Sequence, residues 1–83
     1  LNIKLFYKTQ REIANVLNKI IDQYWENSLS EEELINYINL IYSNNSDKIR
    51  KEEKYTSILQ QVCGKRRLMV IDRILEIKQI TYK

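Results

Sequence analysis

Ile13, Val16, Leu17, Ile20, Ile21, Tyr24 and Trp25 recur at spacings of three and four along the first third of the chain. That period places them on one side of an α-helix. It predicts a helix over residues 8–28. Thr9 and Glu12 supply its start: a hydroxyl and a carboxylate three residues apart satisfy two orphan backbone N–H groups reciprocally. The apolar face covers nearly half the circumference, so this helix meets more than one neighbour, with Tyr24 and Trp25 in the core or at its edge. Leu34, Ile35, Tyr37, Ile38, Ile41 and Tyr42 repeat the period over residues 28–45. Ser30 and Glu33 form a second capping box, and Leu29 before the cap with Leu34 after it makes a hydrophobic staple. Glu31, Glu32 and Glu33 sit where the helix dipole favours acid. The short connection between the two helices favours an antiparallel pair.

The period then weakens. Residues 46–55 are charged around one aliphatic side chain, Ile49, and read as a helical turn followed by a loop. Residues 56–64 predict a short helix started by a weaker Ser57–Gln60 box and closed by Gly64 in the left-handed position that ends helices. Leu68, Val70, Ile71, Ile74, Leu75 and Ile77 predict a fourth helix over residues 65–79. Its polar side holds Lys65, Arg66, Met69, Asp72, Arg73 and Glu76. Residues 1–7 and 80–83 alternate apolar with polar and read as short terminal strands that would pair with each other, or as an extended arm and a frayed end. The expected fold is one mainly α domain of four helices.

Composition removes most chemistry. The 83-residue chain has no histidine, one cysteine and one glycine. A Ser-His-Asp triad and a thiolate or histidine metal site are therefore excluded. So are phosphate-cradling loops and dinucleotide fingerprints, which need several glycines. Cys63 reads as a small buried hydrophobe in a reducing compartment. The expectation is a non-enzyme without cofactor or small-molecule substrate. No apolar run is long enough to span a bilayer, and no signal-peptide pattern is present. A cytoplasmic location is expected, with the native start at Leu1 or upstream of it. The abundance of Ile, Lys, Asn and Tyr, whose codons are AT-rich, points to an AT-rich bacterial genome.

Charge changes the picture most. Residues 1–47 carry four basic and seven acidic side chains; residues 48–83 carry ten and four. The halves are thus −3 and +6. A basic half faces nucleic acid, an acidic partner, or the acidic half of its own fold or of a second copy. The stretch QQVCGKRRLMVIDR (60–73) has the outline of a helix-turn-helix in the C-terminal half. In that reading Lys65, Arg66 and Arg73 grip or read bases, and Lys48, Arg50, Lys51 and Lys54 hold phosphates. Gln60 is bulky where the motif wants a small residue, and Asp72 and Glu76 interrupt the basic face. The competing reading is a protein-interaction module, an inhibitor, adaptor or homodimer, using exposed aromatics and complementary charge. Six tyrosines and a tryptophan exceed what a small core buries easily, and Tyr7, Tyr42, Tyr55 and Tyr82 lie near element ends.

KLFYKTQREIA (4–14), the YW pair (24–25), SEEELINYINLIY (30–42), SDKI (46–49) and QVCGKRRL (61–68) together resemble a small family of short proteins from clostridia and related Firmicutes. The resemblance implies a bacterial cytoplasmic protein of this length. It brings no activity and assigns no functional residue.

Overall fold

A computed structural model describes the backbone of residues 3–81 and the side chains of residues 3–76. Three helices and one hairpin follow in order: α1 (Gln10–Trp25), α2 (Glu31–Ile49), β1 (Arg50–Lys51), β2 (Lys54–Tyr55) and α3 (Ser57–Thr81). Both strong caps form as the spacing predicts. Glu12 N–H donates to Thr9 Oγ1 at 3.1 Å and Thr9 N–H to Glu12 Oε1 at 3.2 Å. Ser30 and Glu33 exchange the same pair at 3.0 and 3.1 Å. The Ser30 N–H bond, followed by the Ser30 hydroxyl, holds the Glu33 carboxyl below its ordinary pKa. Leu29 and Leu34 are both buried beside the α2 cap.

The core lies where the three helices meet. α1 contributes Ile13, Leu17, Ile20 and Ile21; α2 contributes Leu34, Ile38, Ile41 and Ile49; α3 contributes Leu59, Cys63, Ile71, Ile74 and Leu75. Each fully buried aliphatic side chain contributes about 1.5–3 kcal/mol relative to exposure. α1 packs against both other helices, as its wide apolar face requires.

Four expectations are corrected. There are three helices among the described residues, not four. The two predicted C-terminal segments are one element, α3, interrupted only at Gly64 (φ +79°, ψ 165°). That conformation is the mirror of extended backbone, not the left-handed helical value of a usual C′ glycine, and only glycine adopts it without strain. With a single residue at the break, no three- or four-residue turn separates the segments. Second, the Ser57–Gln60 box is absent: Ser57 is already helical, and Gln60 Nε2 donates to Tyr55 C=O at 2.8 Å.

Third, α2 does not stop at Asn44-Asn45. It continues to Ile49, with Asn45 alone outside helical geometry (φ −138°, ψ 27°). Ile49 is the reason, because its burial anchors one more turn. The following loop is a tight hairpin with Arg50 opposite Tyr55 and Lys51 opposite Lys54. Its two turn residues, Glu52 and Glu53, both have positive φ (51° and 68°). Twist matching in a two-residue hairpin loop demands that handedness, which glutamate adopts at a cost.

Fourth, no terminal strand forms among the described residues. α3 runs through Ile80 and Thr81, and the rest of the 80–83 segment lies outside the described residues, as does the start of the 1–7 segment. Residues 3–8 form the alternative, an extended arm held by Asn45. Asn45 Oδ1 accepts from Tyr7 N–H at 3.2 Å, and Nδ2 donates to Leu5 C=O at 2.9 Å and Ile41 C=O at 3.0 Å. The buried carboxamide thus plays the role of a neighbouring strand.

Candidate interaction surface

The break at Gly64 leaves carbonyls at the end of the first α3 segment in need of donors. Two arrive from side chains. Asn18 of α1 donates to Val62 C=O at 2.9 Å, and Arg67 Nη1 donates to Cys63 C=O at 3.2 Å. The rest of the Arg67 guanidinium grips Asp22 of α1, with Nε and Nη2 on Oδ1 at 3.0 and 2.8 Å and Nη2 on Oδ2 at 3.0 Å. Planar guanidinium and carboxylate match in this two-pronged geometry. Beneath the break, burial pushes the Cys63 thiol up to about 11, Arg67 opposing the shift weakly. The buried thiol packs in the core, 2% exposed.

One turn beyond Asp22 on α1 stands Trp25, still 42% exposed. The Arg66 and Arg67 guanidinium carbons lie 5.3 and 5.7 Å from its ring centroid. Both distances are within cation–π range. Asp22 neutralises Arg67, so Arg66 keeps its charge available at the surface. Trp25 also forms one wall of an apolar groove of about 370 Å³, completed by Tyr24, Leu34, Ile35, Val70 and Ile74. Two charged residues of opposite sign line the same groove, Glu31 from the first turn of α2 and Arg73 from α3.

The seven basic candidates divide. Lys65, Arg66 and Arg73 are exposed on one face of α3, as the helical period predicts. Met69 is exposed among them at 58%. Lys48 is turned away from solvent, its Nζ donating to Tyr7 C=O at 2.7 Å, and so locks the N-terminal arm. Arg50 lies over the Tyr55 ring at 5.1 Å, with its Nε buried and unpartnered. Lys51 and Lys54 face each other across the exposed hairpin, with Glu52 and Glu53 between them. Asp72 accepts a hydrogen bond from the Tyr55 hydroxyl. Burial, then Asp72, pushes the Tyr55 phenol well above its ordinary pKa.

None of the described tyrosines is fully exposed. Tyr7 is buried, and Tyr24, Tyr37, Tyr42 and Tyr55 are half-buried against the core, while Tyr82 lies outside the described residues. Among the described residues the exposed rings are Trp25 and, on the arm, Phe6 at 66%. The helical period places Trp25 in the core or at its edge and gives Arg67 no role. The only local signal was Asp22, an acid one turn before Trp25. Its partner lies 45 residues away, beyond any periodicity argument.

A family of conserved hypothetical proteins matches this chain over residues 4–76, and the chain belongs to that family. No curated protein and no solved structure matches it.

Proposed function

We propose that this family member is a non-enzymatic bacterial regulatory or accessory protein that binds another protein on the groove beside Trp25. One observation carries the reading: an exposed tryptophan, flanked by two guanidinium groups, walls an apolar groove. Tryptophan and arginine are the residue types that concentrate binding energy at protein interfaces, and a pocket beside them supplies the socket. The surrounding charge is mixed, with Glu31 and Arg73 both lining the groove and Arg66 over the Trp25 ring. Mixed charge suits a protein partner better than a phosphate backbone, which favours a stripe of one sign.

A second reading is supported by the shared exposed face of Lys65, Arg66 and Arg73. Here the second segment of α3 acts as the recognition helix of a variant helix-turn-helix, or Trp25 stacks a base of a single strand. The hairpin lysines, Lys51 and Lys54, would add phosphate contacts. Asp72 and Glu76 on α3 and the engagement of Lys48 with the arm weigh against it.

A photo-crosslinking residue in place of Arg73, compared with one in place of exposed Arg11, tests the proposal inside bacterial cells. The two positions lie on different parts of the molecule, since Arg11 sits about 20 Å along α1 from Trp25. Discrete protein adducts from position 73 and none from position 11 are expected. Nucleic-acid adducts from position 73, with duplex binding that weakens steeply as salt rises, would establish the second reading instead. Equal labelling from both positions would overturn both.

A further inference from the structure

We infer that the occupant of the groove is a second copy of this chain, docked about a two-fold axis that sets Glu31 of each copy against Arg73 of the other. This rests on the protein-binding reading of the same surface. The argument begins with the charges at the groove. Glu31 and Arg73 are both exposed, and neither joins an ion pair among the described residues. A two-fold contact brings residue i onto residue j and j onto i. A surface carrying one acid and one base is therefore complementary to itself, and two such contacts form at once.

The same surface also contains both shapes that a self-contact needs. The groove is a socket, and Trp25 on its wall is partly exposed, so each copy can offer the other both an aromatic edge and an apolar groove to receive it. The distribution of charge agrees. The first 47 residues are acidic and the remainder basic, yet among the described residues only Arg67–Asp22 joins the two halves as an ion pair. The fold leaves that imbalance unspent, with Glu31, Glu32 and Glu33 on α2 and Lys65, Arg66 and Arg73 on α3 all facing solvent. A chain this short also buries a limited share of its own surface, which a dimer increases.

Charge reversal with mixing tests the inference by sedimentation equilibrium on purified protein. The wild type is expected to be a dimer. Glu31→Arg places like charges at both contacts, as does Arg73→Glu, so each alone should dimerise at least about tenfold more weakly. An equimolar mixture of the two variants restores every pairing, Arg against Glu, and should regain the dimer as a heterodimer. Circular dichroism confirms that each variant is folded, and Arg73→Glu, on an exposed helix face, keeps the test available if Glu31→Arg is not. A monomeric wild type at all concentrations overturns the second copy. If position 73 still cross-links to a different protein in cells, the protein-binding reading survives that loss. Single variants as dimeric as the wild type, or a mixture that fails to recover, would place any self-contact elsewhere and overturn the inference.

Discussion

Replacing Gly64 by alanine should destabilise the fold even though there is room for the added methyl group. Beyond the adjoining backbone no atom lies within 4 Å of a Cβ built at this position, so overlap with the rest of the fold contributes nothing. The cost is the backbone itself, at φ +79° and ψ 165°, where an L-residue is strained by about 1–3 kcal/mol. Alanine recovers part of this, about 0.4–1 kcal/mol, by restricting the unfolded chain. The net loss is then about 1–2 kcal/mol. With a urea slope near 1 kcal/mol/M for so small a protein, the unfolding midpoint should fall by about 1–2 M.

Straightening α3 does not offer an escape. Helical alanine gains about 1 kcal/mol over glycine, but continuity would displace the Asn18–Val62 and Arg67–Cys63 bonds and rotate Ile71, Ile74 and Leu75 out of the core. D-Alanine supplies the control, because its preferred region is the mirror of the L-residue's. Cys63 directly precedes the site, so the D-alanine protein can be assembled by chemical ligation there. D-alanine should match or exceed glycine in stability. An L-alanine variant as stable as wild type, or a D-alanine variant no better than the L form, would refute the reasoning.

Other parts of the fold yield separate tests. Asn45→Leu keeps the branched outline of the side chain, with larger methyl groups, but strips the arm of its partner and leaves Tyr7 N–H and Leu5 C=O unpaired. It should cost about 1–3 kcal/mol, and hydrogen exchange at the Tyr7 amide should accelerate before the helices open. Glu52→Asn with Glu53→Gly places the residues that a positive-φ hairpin turn prefers. A gain of about 1 kcal/mol in chemical denaturation is expected, since both glutamates are exposed. Cys63 provides a pH test. Its folded pKa is raised to about 11, so the unfolded thiol ionises first. Its stabilising contribution is complete below about 9 and disappears as pH rises through about 11. The stability difference between wild type and Cys63→Ala should narrow across that window, and iodoacetamide at pH 8 should alkylate the folded protein only as fast as it opens.

The first two helices were legible because their signals are local. A capping box needs residues three apart, and an amphipathic face needs residues three and four apart, so Thr9–Glu12, Ser30–Glu33 and the isoleucine stripes could be read directly. The C-terminal half was read less well for the opposite reason. Lys51-Glu52-Glu53-Lys54 carries no glycine or asparagine to announce a tight turn, and its strands pair over two residues each. Two asparagines signal an end to α2 that the fold overrides, because Ile49 lies inside the core and Asn45 holds the arm.

By itself the sequence determined that the chain is helical, where two of its helices begin, which aliphatic residues of α1 and α2 turn toward the core, and that histidine, thiolate-cluster and glycine-loop chemistry are absent, while the inward placing of Ile77 lies outside the described side chains. It also determined that Lys65, Arg66 and Arg73 of α3 fall on one side of the helix, because helical period dictates this. Tertiary structure decided which of those bases are free. Lys48 is drawn to the arm, Arg67 to Asp22 and the broken carbonyl, and Arg66 to the face of Trp25. It also decided that Trp25 stands at the surface beside a groove while most of the tyrosines help cover the core. The physical reason is range. Periodicity and capping act within a turn or two of the chain, whereas a groove walled by α1, α2 and α3 exists only once packing has brought residues 24, 35 and 70 together.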